Sequence, residues 1–241
     1  AVLLTGVMAL TMLTGCGSEK KTVKVIDIEL TNEEYAFGVD KTQPELLEAV
    51  NEFIREIQGN GVFDEICSHY FGDGTPVPVT SAAYDESKDQ LVVATNAAFE
   101  PFEYMQGDSY YGIDMEIAAR LAEHLGKELV IQNMEFEAVC LSVGQQKCDV
   151  AMAGLTVRED RMEHVNFSDS YYDASQKLIV ASDDKEFDSC TDAASVEAIL
   201  KTKDGTMKVG AQTGTTGQFY AEGDADWGFD GFDMEVIGYK N

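Results

Sequence analysis

Hydrophobic and polar positions follow two rhythms along the middle of this chain. Leu91-Val-Val-Ala-Thr-Asn96 is a short apolar run rich in β-branched residues, as a buried strand requires. Phe99-Glu-Pro-Phe-Glu-Tyr104 breaks that run with a proline and three aromatics. Ile113, Ile117, Leu121 and Leu125 recur every four residues, which predicts one stripe of a helix. Gly126 follows, where a helix C-terminus favours positive φ. Leu129-Val-Ile131 predicts a second strand, Val139 and Val143 a short helix, and Asp149-Val-Ala-Met-Ala-Gly154 a third strand. Strands alternating with helices imply a parallel sheet covered on both faces. Ligands bind such sheets beyond the carboxyl ends of the strands. The Phe99 loop, Phe136 and the turn from Gly154 to Arg161 fall at those ends.

That turn carries chemistry. Thr156-Val-Arg-Glu159 fits a capping box, with Thr156 as N-cap and Glu159 reaching back. A helix N-terminus favours an anion, and Arg161 in the first turn can clamp a carboxylate with two hydrogen bonds. The spacing alone fits a capped surface helix with a solvated Arg equally well. Met207-Lys-Val-Gly-Ala-Gln212 predicts another strand, and Thr213-Gly-Thr-Thr-Gly-Gln218 opens a helix with small residues. The Gly-Lys-Ser/Thr ending of a nucleotide-binding loop is absent there.

Asn96-Ala-Ala-Phe-Glu-Pro-Phe-Glu-Tyr104, Gly112-Ile-Asp-Met-Glu116, Cys148-Asp-Val-Ala-Met-Ala-Gly-Leu-Thr156, Arg158-Glu-Asp-Arg161 and Val165-Asn-Phe-Ser-Asp-Ser-Tyr-Tyr172 occur in one order. Together they resemble the type II periplasmic solute-binding proteins that serve polar amino acid ABC transporters. The resemblance implies an α/β fold of the periplasmic binding protein-like II kind: two doubly wound α/β lobes joined by two crossing strands. It implies a receptor, not an enzyme, that closes on a free amino acid and presents the closed form to the transporter's membrane subunits. By position, Phe99 and Phe136 would stack on the ligand side chain. Gly154, Thr156 and Arg161 would hold its α-carboxylate, and Asn96 would contact the side chain or amine. Gln212 and Thr213 fall in the zone that sets specificity in relatives, with Thr215 in the small-residue turn that follows. No cofactor and no metal are implied. A few relatives are dehydratases, so Glu100, Glu103 and Glu135 stand as alternative acids, and a binding-incompetent fragment is a further alternative.

The order of the pieces is permuted relative to that family. Val25 to Val39 resembles its return crossing, and Pro44–Ile57, Gly61–Ile66 and His69-Tyr-Phe-Gly72 resemble its last helices and end. The expected organisation is 1–16 as a lipoprotein signal segment, 17–23 as a tether and 24–71 as the family's tail. Residues 72–90 are expected as a linker, 91–178 as the main part of lobe one, and 179–241 as an incomplete lobe two. Read as a circle, the span from Asn241 to Val25 lacks a strand whose terminal acid pairs with the ligand ammonium in relatives. A circular permutant, a piece of a rearranged gene, or a strand supplied by a second subunit would each account for this.

The apolar run from Ala1 ends in Leu13-Thr-Gly-Cys16, which resembles a lipoprotein signal with lipid attached at Cys16. The run is too short for a membrane span. Location outside the cytoplasmic membrane follows as the expectation. Lys and Arg number 17 against 44 Asp and Glu, a net charge of −27, which argues against a nucleic acid partner. Cys67, Cys140, Cys148 and Cys190 show no C-x-x-C spacing, so zinc is not expected; free thiols are, with a 140–148 disulfide left open.

Overall fold

A computed structural model describes residues 22–225 and 227–240. The signal segment, Cys16 and most of the tether lie outside the described residues. The run at 91 forms the strand Gln90–Thr95, buried from Leu91 onward. It pairs in parallel with Glu128–Asn133 on one side and Val150–Ala151 on the other. The strand Gly38–Asp40 comes next and is antiparallel to both Val150–Ala151 and Val165–Phe167. The sheet order is therefore 165–167, 38–40, 150–151, 90–95, 128–133. A strand from the first sixth of the chain lies inside a sheet otherwise built from residues 90–167.

Both faces of this sheet are covered. Leu91 and Val93 point into a core with Ile54, Ile66, Ile117 and Leu121. Val92 and Ala94 point the other way, into a core with Val139 and Val143. That is the period of two of a strand buried on both sides. Pro44–Asn60, Val62–Phe71 and Ile113–His124 are the helices of the first face, and Phe136–Gly144 that of the second. Residues 72–90 run along this lobe: Val79 bridges to Tyr110, and the Ala82 amide donates to the Leu129 carbonyl at 2.9 Å.

The second lobe holds Lys208–Gln212 parallel to Glu235–Tyr239, with helices Ala193–Leu200 and Thr216–Glu222. Asp192 caps the first of these helices, accepting from the Ser195 amide at 2.8 Å. Ile26, Phe187, Val196 and Leu200 form its core. Two antiparallel ribbons join the lobes, Val23–Val25 with Ile179–Ala181 and Glu33–Tyr35 with Tyr172–Ala174. Two α/β lobes with two crossings are the expected architecture. Cys67, Cys140, Cys148 and Cys190 are free thiols. Among the described residues no helix is long and apolar enough to cross a membrane, and no group of three or more His, Cys, Asp or Glu is placed to hold a metal ion.

One buried acid ties the layers together near the lobe junction. Asp114, fully buried in the helix Ile113–His124, accepts from the Gly154 amide at 2.9 Å and from the Tyr171 hydroxyl at 2.6 Å. Burial pushes its carboxyl up to about 7, against these two donors. Tyr171 in turn stacks on Phe37, with ring centroids 4.3 Å apart.

Two predictions follow from these contacts. Phe37 is fully buried, so Phe37→Ala should cost about 3–5 kcal/mol in a urea titration. Because the folded pKa of Asp114 is raised, its stabilising share is complete below about pH 4 and is lost as pH rises through about 7. The melting temperature of the wild type relative to Asp114→Asn should therefore fall from pH 4 to 7. A difference that stays flat with pH would refute the assignment.

Candidate functional site

The carboxyl ends of the first lobe's parallel strands face the second lobe across a cavity of about 190 Å³. Phe99, Phe136, Gly154, Thr156, Arg161, Gln212 and Thr215 line it, joined by Tyr35, Glu103, Ala153, Gln176 and Thr216. Asn96 and Thr213, also singled out in the sequence, do not line the cavity. Asn96 is buried behind it, donating to the Met134 carbonyl at 2.7 Å and accepting from Gln212 Nε2 at 2.8 Å. Thr213 donates its amide to the Tyr239 carbonyl at 2.8 Å, within the second lobe's sheet.

Arg161 is the cationic group of the site. Its side chain lies at the seam, 7 % exposed, with Nη1 donating to the Thr156 carbonyl at 2.8 Å and Nη2 to the Gly214 carbonyl of the other lobe at 3.1 Å. Its guanidinium carbon sits 5.2 Å from the centre of the Phe136 ring. Among the described residues it forms no ion pair, and burial pulls its pKa down. A guanidinium held this dry by neutral carbonyls attracts an anion strongly. Gly214 has φ 78°, and a Cβ there would come 2.8 Å from Glu137 Cγ, so only glycine lets this turn close on the first lobe.

Glu103 is the complementary group. It lies in the strand Glu103–Gln106, paired opposite Phe99, and is wholly buried. Neither carboxylate oxygen has a hydrogen-bond partner among the described residues. Burial, and then the nearby charge of Asp114, push its carboxyl well above the usual range. An unpaired buried carboxyl holds its proton until a cation arrives to share the site. Glu100 and Glu135, the other two acids considered from the sequence, are exposed, and Glu135 pairs with Lys240 at 2.6 Å.

Between these poles the walls are aromatic. Phe99 stacks on Phe102 at 5.4 Å, and Tyr35 meets Phe102 edge-on at 5.2 Å. Gly154 belongs to this wall: its φ is 52°, and a Cβ would lie 2.9 Å from the Phe99 ring. Its amide is taken by Asp114 and is not free for a ligand.

The capping box expected at Thr156 does not form. The helix there is Glu159–Met162, its N-cap is Arg158, and no side chain caps it. Thr156 instead donates to buried Glu33 at 2.7 Å, across from the return crossing, and meets the Thr216 hydroxyl at 3.1 Å. Glu33 also accepts from Gln176 Nε2 at 2.9 Å. A local sequence pattern lost to a partner 123 residues away. Tyr35, Gln176 and Thr216 are not among the residues that the sequence marks as ligand-binding. They reach the cavity through the crossings and the second-lobe helix, and only the two-lobed topology marks them. Glu103 carries a signal in the sequence, as a possible general acid near a predicted strand end; its place opposite Phe99 in the strand Glu103–Gln106 comes from the structure.

Residues 91–228 match the bacterial extracellular solute-binding proteins, family 3. The chain is 33% identical over 104 residues to the arginine-binding extracellular protein ArtP of Bacillus subtilis (strain 168), covering 43% of this chain and 41% of that one. It is 26% identical over 162 residues to the histidine-binding periplasmic protein of Salmonella typhimurium, covering 66% of this chain and 56% of that one. The chain thus spans about half the length of these curated relatives. Among solved structures it is similar to an ancestral amino acid-binding protein described as a precursor of cyclohexadienyl dehydratase. That similarity has a TM-score of 0.51 and 26% identity, over 64% of this chain and 62% of that one. With more than half of its residues in the family match and its two-lobed fold shared with a solved amino acid-binding structure, the chain belongs to family 3 of the bacterial extracellular solute-binding proteins.

Proposed function

We propose that this protein is an extracellular receptor that closes on a free amino acid with a cationic side chain and delivers it to an ABC importer. One observation carries the reading: a single cavity holds a buried guanidinium without an ion pair and a buried carboxyl without a hydrogen-bond partner among the described residues. A zwitterion with an extra positive charge answers both. Its α-carboxylate would pair with Arg161, its side-chain cation with Glu103, and its methylenes would lie between Phe99 and Phe136. The similarity to the arginine-binding extracellular protein ArtP of Bacillus subtilis supports the same ligand class. Ligand contacts to both lobes favour the closed form, which is the signal an importer's membrane subunits would recognise. The permuted order of segments is supported by the strand Gly38–Asp40, which sits between 150–151 and 165–167.

A titration calorimeter tests the ligand assignment. Arginine and lysine should bind more tightly than glutamine or aspartate. Arg161→Ala should abolish binding of all of them, while Glu103→Gln should weaken the cationic ligands about a hundredfold and remove the preference. Glu103 is protonated in the empty cavity and ionises against a bound cation. Binding should therefore release a proton and tighten as pH rises, with an enthalpy that varies with the buffer's ionisation enthalpy. Wild-type affinity for arginine in Arg161→Ala would overturn the carboxylate site.

The neutral carboxyl of Glu103 also supports a second reading, a dehydratase in which Glu103 donates a proton to a leaving hydroxyl. Turnover of a cyclic hydroxy acid that is lost in Glu103→Gln, with no amino acid bound, would favour it. We further propose that lipid at Cys16 tethers the protein to the membrane surface. Metabolic labelling with palmitate should mark the wild type and not Cys16→Ser; equal labelling of both would exclude that site.

A further inference from the structure

We propose that Arg158 is a clasp that sets the affinity of the clamp from outside the ligand cavity. This inference rests on the two-lobed receptor reading above. Arg158 does not line the cavity. It leaves the first lobe at the N-cap of the helix Glu159–Met162 and is buried against the second lobe, 4 % exposed. There its guanidinium carbon sits 4.2 Å from the centre of the Phe219 ring and 5.1 Å from that of Trp227. Its Nη2 donates to Asp224 Oδ2 at 2.6 Å, and that carboxylate is itself almost buried. Two aromatic faces and one acid of the second lobe thus enclose a cation of the first.

The contacts divide according to lobe. Arg158 Nε donates to Asp160 Oδ1 at 3.0 Å within its own lobe, a bond that survives any movement of the lobes. Asp160 therefore holds the arm extended before closure, so little side-chain freedom is lost when the clasp engages. The contacts with Asp224, Phe219 and Trp227 exist only when the lobes are shut. Charge-assisted hydrogen bonding and cation–π attraction are both strong away from water. A contact made only in the closed form raises the closed fraction without touching the ligand. The apparent dissociation constant is the intrinsic one divided by that fraction. The clasp therefore tightens every ligand by one common factor, and most of the change lies in the dissociation rate. Residues that read the ligand itself, such as Glu103, change affinities unequally.

The test uses the full chain with two variants, Arg158→Ala and Phe219→Leu, and two probes, arginine and lysine. Arg158→Ala should weaken both amino acids by the same factor, about tenfold. Phe219→Leu keeps the ion pair with Asp224, removes one ring, and should show a smaller loss, again equal for both probes. Trp227 is the chain's sole tryptophan and reports the clasp directly. Its emission should shift when arginine is added to the wild type, and less in Arg158→Ala. Small-angle scattering of ligand-free protein should show a larger radius for Arg158→Ala than for the wild type, with cooperative unfolding retained in both. Unchanged affinities in both variants, or losses that differ between arginine and lysine, would overturn the clasp. The scattering arm needs no ligand. If wild type binds neither amino acid while Arg158→Ala still expands, the lobe-closing contact of Arg158 stands while the receptor reading, and with it the effect on affinity, falls; an unchanged radius removes the clasp alone.

Discussion

The guanidinium of Arg161 is removed from water at the seam between two lobes, and the carbonyls of Thr156 and Gly214 are its partners from either side. A buried cation without a counter-ion is costly, and nearby structure is arranged around that cost. Gly214 permits the second lobe's turn to approach, Phe136 lays a ring beside the charge, and Thr156 is held in place by Glu33 from the return crossing. The site is therefore not a feature of either lobe. It exists where both crossings bring the lobes into register.

Glu103 poses the same problem with the opposite sign. Its carboxyl is held in the dark between aromatic side chains and escapes the cost of charge by keeping its proton. The two groups differ in how they bear isolation: a guanidinium stays charged almost anywhere, whereas a carboxyl can wait in neutral form. Arg161 is thus a permanent pole and Glu103 a conditional one. A cavity with one of each offers a fixed positive charge at one end and, at the other, a carboxyl that ionises only if a cation joins it.

Much of the first lobe was legible because its signals are local. The run at Leu91 and the stripe from Ile113 to Leu125 became a strand and a helix close to where periodicity put them. Phe99, Phe136 and Arg161 could be placed near strand ends by the same logic. What failed was also local in origin. Thr156 has the sequence context of an N-cap, but its hydroxyl goes to Glu33, whose position depends on the crossing ribbon. Tyr35 and Thr216 lie in recognisable segments whose patterns do not mark them as cavity residues, Gln176 carries no motif, and nothing local to the Arg158–Arg161 block shows that Phe219 and Trp227 enclose Arg158. Non-local pairing decides these roles, and a reading from one sequence does not contain it.

The strand Gly38–Asp40 has a consequence for how this protein is made. Its partners in the sheet, at 150–151 and 165–167, are more than a hundred residues further along the chain. Synthesis runs from the N-terminus, so the helices Pro44–Asn60 and Val62–Phe71 emerge before any sheet exists for their apolar faces to cover. Closing so long a loop is slow, and it must happen before the surrounding contacts reward it. The strand Gly38–Asp40 is made well before the two strands that pair with it. The sheet cannot lock until the chain beyond Phe167 has arrived, so this lobe closes only after both of its distant segments have been made.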